Sequence, residues 1–341
     1  KDSFPFSNLP RRARQAQARP TQQPGNTPPM NLDDTLTLEQ LSVSFSTDDG
    51  ILPAVHAVSL SLPPAGITCL VGESGCGKSL TARAILHLLP ENAHISGRIL
   101  FRGRDLRTMP PEEMRALRGR HIAMIFQDPM TSLNPVLTIG EQMDEVVLLH
   151  EEGATAESAK AHSIEMLQLV GIAMPDKVYA SYPHELSGGM RQRVMIAMAL
   201  SCGPRLIIAD EPTTALDVTI QAQILDLLRG IKDKINGSIM LITHDLGVIA
   251  EMADYVVVMY AGRIIEKGTV REIFHTPKHP YTVGLMRSKP SVNKAVDRLY
   301  SIPGQVPNPI NMPNHCYFKN RCEKCTEKCG GEYPPMLQFS P

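Results

Sequence analysis

The sequence has almost no excess of charge: 34 Lys and Arg stand against 35 Asp and Glu, a formal net charge of -1. Nothing global therefore gathers nucleic acid or an anionic membrane. Long apolar runs are missing as well. The longest, such as Tyr255–Ala261, are strand-length, far below the roughly 20 residues of a membrane-spanning helix. No basic n-region, apolar h-region and small-residue cleavage site mark a secretory leader, and no segment repeats at a fixed period. The 341 residues suffice for one large domain or two modest ones with ample core. Charge is uneven only at the start, where Lys1, Arg11, Arg12, Arg14 and Arg19 meet Asp2 alone. Residues 1–34 are rich in Pro, Gln and Arg without apolar periodicity, which predicts a disordered tail, a transit-type peptide being the alternative for so Arg-bearing and acid-poor a stretch. The sequence opens at Lys1, which points to a natural start upstream or at Met30.

The most informative stretch is Gly72-Glu73-Ser74-Gly75-Cys76-Gly77-Lys78-Ser79, a G-x-x-x-x-G-K-S pattern. The buried-strand run Ile67–Val71 precedes it, and the helix-compatible Leu80, Ala82, Ala84, Ile85 and Leu86 follow. Strand, glycine loop and helix are the context in which this pattern binds phosphate. Glycines let backbone N–H groups converge on an anion without an intervening Cβ, and the positive helix terminus adds to the field. Lys78 is expected to reach the β- and γ-phosphates, and the Ser79 hydroxyl to take one position on Mg²⁺.

Two alternating strands, Thr37–Phe45 and Val55–Leu62, predict an antiparallel pair. Phe45, at the end of the first, could stack on an adenine or fill the core. Ile95–Phe101 reads as a strand leading into a polar hairpin at Arg102-Gly103-Arg104. Pro111–Arg118 reads as a short helix and Ile122–Phe126 as a strand ending at Gln127. Residues 128–189 lack long β-branched runs and predict an inserted helical subdomain, Ala156–Val170 being one of its helices. Parallel α/β texture resumes at Leu206–Ala209, Ser238–Thr243 and Tyr255–Met259. Between the first two, Ile220, Ile224, Leu227, Leu228, Ile231 and Ile235 form a helical stripe. Continuous apolar strands alternating with helices predict a parallel sheet covered on both faces. From about Thr276 the chain turns Pro-rich.

Leu206-Ile207-Ile208-Ala209-Asp210-Glu211 delivers two carboxylates to the C-terminal end of a strand, the edge at which such sheets bind ligands. Asp210 is expected to hold Mg²⁺, directly or through water, and Glu211 to polarise the attacking water. The plainer alternative is an acidic pair capping the next helix. Leu241-Ile242-Thr243-His244 brings a histidine to the same edge, where it can hydrogen-bond a γ-phosphate or serve the fold. Ser187-Gly188-Gly189 opens a helix and forms a second anion cradle, followed by Met190-Arg191-Gln192-Arg193.

In this order, Gly72–Ser79, Gln127, Leu186–Arg193, Asp210-Glu211, Ala215-Leu216-Asp217 and His244 resemble the motif set of ABC-transporter ATPases. The resemblance implies an α/β fold: a RecA-like parallel-sheet core with an antiparallel β subdomain and an inserted helical subdomain. It spans about residues 35–275. It implies two such domains head to tail, each ATP held between one phosphate loop and the partner's Ser187-Gly188-Gly189. By the same resemblance Gln127 touches Mg²⁺ and the attacking water and begins the segment that senses the membrane subunit, while Asp217 communicates across the dimer. Phe126–Pro135, Met195–Leu200, Ala209–Thr219 and His279-Pro280-Tyr281-Thr282 resemble the oligopeptide/dipeptide/nickel importer ATPases. That subfamily implies a paralogous second ATPase, two transmembrane permeases and an extracytoplasmic binding protein. It also implies a peripheral place on the cytoplasmic face of the inner membrane and no nucleic-acid partner. The cargo is most readily di- or oligopeptides, with nickel chelates or glutathione as alternatives. A soluble ABC protein of another class is the rival reading.

Residues 276–341 form the C-terminal region of that subfamily, with Cys316, Cys322, Cys325 and Cys329 close together. In a reducing compartment such a cluster points to metal before disulfides. Four thiolates suit a [4Fe–4S] cluster, with Zn²⁺ as the second reading and unligated thiols as the third. Some importers of this type carry such a cluster on C-x5-C-x6-C plus a later cysteine. Cys316, Cys322 and Cys329 match that spacing, and Cys325 or a residue beyond Pro341 is left as the fourth ligand. Cys69, Cys76 and Cys202 read as small buried hydrophobes.

Overall fold

A computed structural model describes residues 35–48, 50–214, 216–235, 237–288, 300–310 and 312–339. The basic tail expected over residues 1–34, and Ala215, lie outside the described residues. In chain order the regular elements are β1 (Leu36–Thr47), β2 (Gly50–Leu62), β3 (Ile67–Val71), α1 (Lys78–Ile85), β4 (Ala93–Phe101) and β5 (Arg104–Asp105). There follow α2 (Pro111–Leu117), β6 (Ile122–Ile125), α3 (Pro129–Ser132), α4 (Ile139–His150), α5 (Ala156–Leu169), α6 (Pro175–Tyr179) and α7 (Gly188–Leu200). The remainder are β7 (Leu206–Asp210), α8 (Val218–Ile235), β8 (Ser238–Ile242), α9 (Leu246–Met252), β9 (Tyr255–Tyr260), β10 (Arg263–Thr269), α10 (Val270–His275) and α11 (Pro280–Arg287).

Among the described residues these strands make two sheets, ordered β2-β1-β4-β5 and β10-β9-β3-β8-β7-β6. In the second sheet β9, β3, β8, β7 and β6 run parallel, and β10 closes one edge antiparallel to β9. Every residue of β3, β7 and β8 is buried, as a sheet covered on both faces requires. Side-chain alternation divides those strands cleanly. Ile67, Cys69 and Val71, with Ile207, Ala209, Ile239, Leu241, Val256 and Val258, face a core shared with α4–α9. Leu70, with Leu206, Ile208, Met240, Ile242, Val257 and Met259, faces α1, α2 and the antiparallel sheet.

The expected strand pair is present as β1 and β2. It belongs to a larger sheet, because β1 pairs with β4 on its other side, from Leu36↔Phe101 to Phe45↔Ala93. The helices α3–α7 run from Pro129 to Leu200. Their starts are set by side chains: Thr138 with Glu141 and Thr155 with Ser158 form reciprocal capping boxes for α4 and α5.

The chain beyond α10 packs back onto the ATPase-like body. Tyr281 is fully buried and meets Tyr260 and Phe318 at ring-centroid distances of 4.8 and 5.6 Å. The Arg263 guanidinium lies 4.1 Å from the centre of the Tyr333 ring and 5.2 Å from that of Tyr317, a cation–π contact with a pair of rings that meet edge to face at 4.9 Å. His279 caps α11, its Nδ1 accepting from Tyr281 N at 3.1 Å. Burial pushes the His279 imidazole down to about 4, although Glu266 opposes the shift. Its pKa is therefore lower in the folded chain than in the unfolded one, near 6.5. The stability it confers is present above pH 6.5 and is lost as pH falls toward 4. Thermal unfolding across pH 7 to 4 is expected to show a falling melting temperature over that window. His279→Gln, which cannot protonate, is expected to flatten the slope.

Candidate nucleotide site

The strand order sets the site. Moving across neighbours β3, β8, β7 and β6, their C-terminal ends carry the Gly72–Lys78 loop, His244, Asp210-Glu211 and Gln127. Four segments remote in sequence thus share one sheet edge, where parallel α/β sheets bind ligands.

Two glycines of the loop are needed for close approach. A Cβ on Gly72 would sit 2.3 Å from the Met259 carbonyl oxygen, and one on Gly77 2.8 Å from that of Ala54. Gly77 also has φ +97°, in the region that disfavours side chains. Gly75 has φ +78° with open space on its Cβ side. Lys78 is 5% exposed, and its Nζ donates to the Gly72 and Glu73 carbonyls at 2.9 and 3.0 Å. Because α1 begins at Lys78, its first N–H groups have no partners within the helix. A loop that brings an ammonium and free N–H groups together while excluding Cβ atoms fits a polyphosphate.

Ser79 Oγ donates to Asp210 Oδ1 at 2.9 Å. Asp210 is 2% exposed, and burial raises its pKa. The Ser79 hydrogen bond opposes that rise, and neighbouring Glu211 adds to it. A hydroxyl and a carboxylate that resists ionisation are a donor set that a hard divalent cation stabilises. Glu211 lies next to this pair with φ +48°, a conformation costing about 1–3 kcal/mol for a residue with a side chain. Its surroundings hold it there. Its N–H donates to the Ile242 carbonyl at 2.9 Å, and Oε2 accepts from Thr214 Oγ1 at 2.9 Å and Gln127 Nε2 at 3.2 Å. His244 Nδ1 lies 3.4 Å from Oε1. The carboxylate is thus oriented from three sides in a half-buried position, while His244 is 62% exposed at the rim.

The structure brings together Lys78, Ser79, Asp210, Glu211, Gln127 and His244. Phe45 is half-buried on β1 against the core. It lies beyond Val43, whose strand partner Val55 packs beneath Gly77. Cys76 is buried, and burial raises its pKa. Ser187 is the N-cap of α7, accepting from Met190 N at 3.3 Å. Ser187 and Gly188 are exposed, and among the described residues no hydrogen bond joins them or Gly189 to the phosphate loop. Asp217 accepts from Ile220 N at 3.0 Å and so caps α8. Thr214 escaped the sequence reading. Its signal was a hydroxyl three residues after Glu211, across the turn that Pro212 begins.

The terminal cysteines share one module. Cys316 and Cys322 pack against the core, and Cys325 is exposed. Burial raises the Cys316 thiol, and Cys329 and Cys322 raise it further. Thr326 hydrogen bonds lower Cys329, its N donating to Sγ at 3.4 Å. The four thiols are electrostatic neighbours. Even so, among the described residues no group of three or more His, Cys, Asp or Glu is placed to hold a metal ion. The expected [4Fe–4S] or Zn²⁺ site is therefore not assembled in this arrangement.

Comparison with known proteins matches an "ABC transporter" family model over residues 55–214 and an "Oligopeptide/dipeptide transporter, C-terminal region" model over residues 265–329. The Haemophilus influenzae oligopeptide transport ATP-binding protein OppD is 49% identical over 298 residues, 87% of this chain and 92% of that protein. The Bacillus subtilis dipeptide transport ATP-binding protein DppD is 48% identical over 305 residues, 89% of this chain and 91% of that one. Among solved structures, the dimeric ATP-binding cassette MJ0796, in a post-hydrolysis state with ADP and Pi, superposes with TM-score 0.63 at 25% identity. It covers 69% of this chain and 99% of that one. No helix among the described residues is long and apolar enough to cross a membrane. With its phosphate loop, carboxylate pair and C-terminal region matched along most of its length, the chain belongs to the ABC-transporter ATPases of the oligopeptide/dipeptide family.

Proposed function

We propose that this chain hydrolyses ATP to drive import of di- or oligopeptides through a membrane complex. The observation that carries the chemistry is the posture of Glu211, held in a left-handed conformation by Gln127, Thr214 and His244 beside the Ser79–Asp210 pair. In this reading residues 35–275 form the ATPase domain, with the helical subdomain at about 128–189, and residues 276–341 the importer-type terminal region. Gly72, Ser74, Gly75, Cys76, Gly77, Lys78 and Ser79 cradle the phosphates, and Phe45 lies toward the base. Ser79, Gln127 and Asp210 would hold Mg²⁺, which would supply charge neutralisation for the polyphosphate. Glu211 accepts the proton of the attacking water, Gln127 orients that water, and His244 hydrogen-bonds the γ-phosphate. Ser187, Gly188 and Gly189 serve the nucleotide of a second ATPase, which explains an exposed cradle whose hydrogen bond stays within its own helix. Closure of the pair when the γ-phosphate is present, and opening when it is lost, is a population shift with the phosphate as differential contact.

The second ATPase is a paralogue, and the pair sits on the cytoplasmic face of the inner membrane beneath two permeases fed by an extracytoplasmic binding protein. Likeness to OppD and DppD, whose names specify oligopeptide and dipeptide transport, supports the cargo class. Cys316, Cys322 and Cys329, with Cys325 as the fourth ligand, form a structural [4Fe–4S] site, or a Zn²⁺ site. Their mutual proximity supports this. The test is extraction of the native complex in mild detergent under anaerobic conditions. Two multi-pass proteins and a second ATPase in stoichiometric amounts are expected, with iron and acid-labile sulfide in the preparation. A soluble partner without membrane proteins would contradict the importer. Iron, sulfide and zinc all near zero would contradict the metal site.

A further inference from the structure

The side chain and N–H of Glu73, the second residue of the phosphate loop, are held by the C-terminal region. Arg321 Nη1 donates to Glu73 Oε2 at 2.9 Å and Nη2 to Oε1 at 3.1 Å, a two-pronged ion pair spanning 248 residues of sequence. The Glu73 N–H donates to Tyr281 Oη at 3.0 Å. Its carbonyl accepts from Lys78 Nζ, the ammonium that the loop presents to phosphate. The Arg321 side chain is 6% exposed and that of Glu73 30%. Arg321 is itself anchored: Nε donates to the Pro303 carbonyl at 2.9 Å, and Nη1 lies 3.4 Å from Tyr260 Oη. Burial alone would lower its pKa, but the bonds to Glu73 and Tyr260 outweigh that and raise it. Such a fork fixes both distance and orientation. An exposed surface ion pair would do neither.

We propose that Arg321 and Tyr281 are positioning residues for ATP: they brace Glu73 so that the phosphate loop and Lys78 keep their binding geometry, making ATP affinity depend on the docked C-terminal region. Arg321 directly precedes Cys322 and lies in the turn that follows Cys316, so the brace is continuous with the cysteine-bearing segment. The proposal rests on the phosphate loop being the ATP site.

The test uses the assembled transporter and measures KM for ATP, kcat and melting temperature for Arg321→Met, Arg321→Lys, Glu73→Gln and the double variant Glu73→Gln/Arg321→Met. Lys78→Ala is measured in parallel for ATP binding. Arg321→Met is expected to raise KM about ten-fold, the effect of one lost charged contact, with a smaller change in kcat. Arg321→Lys is expected to recover part of the loss. The double variant is expected to be no worse than the worse single one, because both remove one interaction. Glu73→Gln breaks the same pair from the loop side without altering the C-terminal region, so it answers even if Arg321→Met folds poorly. A lowered melting temperature with unchanged KM in Glu73→Gln, or effects that simply add, would overturn the brace. If those results come with lost ATP binding in Lys78→Ala, the brace alone falls. Undiminished binding in Lys78→Ala removes the ATP site and the brace together.

Discussion

Glu211→Gln is expected to bind ATP normally and to hydrolyse it about 10²–10⁴-fold more slowly, the range of a single acid–base group. The substitution keeps the shape and the hydrogen-bond acceptor toward Thr214 and Gln127, but it removes the charge that takes a proton from water. It also removes the charged partner of His244. The consequence extends beyond rate. With ATP bound and not cleaved, the closed pair of ATPases should accumulate, visible as a stable dimer by light scattering or native mass spectrometry. Near-normal turnover would remove Glu211 from its proposed role. Pinned at φ +48°, the position also constrains replacement. Glu211→Gly would relieve the backbone yet lose the carboxylate, and it should be as inactive as the glutamine variant.

Gly77→Ala is the second large effect, and it acts on binding. The added methyl requires a side-chain residue at φ +97° and meets the Ala54 carbonyl at 2.8 Å and Val55 Cγ2 at 3.2 Å. A left-handed conformation costs about 1–2 kcal/mol, and overpacking adds about 1–3 kcal/mol. Against the loop geometry, about 3 kcal/mol corresponds to roughly 100-fold weaker ATP binding, readable by isothermal titration. Gly153 offers the control. It has φ +76° but nothing within 4 Å of its Cβ position. Gly153→Ala should therefore carry only the backbone cost, lower the melting temperature slightly and leave ATP affinity unchanged. If Gly77→Ala binds ATP as tightly as the parent, close packing of β2 against the loop is not what shapes the site.

The parallel sheet was legible in the sequence because short, mostly apolar runs such as Ile67–Val71 and Leu206–Ala209 admit few other homes once glycine loops and carboxylates end them. The same runs carry, in alternating residues, the two faces that separate the cores. Lys78, Ser79, Asp210, Glu211, Gln127 and His244 could be named because each lies at or shortly beyond the C-terminal end of a strand, Lys78 and Ser79 across the glycine loop, and the strand order then brings them side by side. The pairing of β4 with β1 was not legible. A strand's alternation states which side is buried and not which neighbour supplies its hydrogen bonds. Arg321 was not legible either. It lies 248 residues from Glu73, in a segment read for its cysteines, and a buried guanidinium carries no sequence signal until its partner is known. Thr214 became evident only when the turn after Pro212 placed its hydroxyl 2.9 Å from Glu211.

The central claim is that ATP cleavage at this site moves peptide. The most direct measurement places the complete complex in lipid vesicles with its binding protein and follows accumulation of a labelled peptide alongside ATP hydrolysis. Peptide uptake that requires ATP, hydrolysis that rises when loaded binding protein is added, and loss of both in Glu211→Gln are the predicted results. ATP hydrolysis indifferent to every peptide offered, or uptake that persists in Glu211→Gln, would contradict the account.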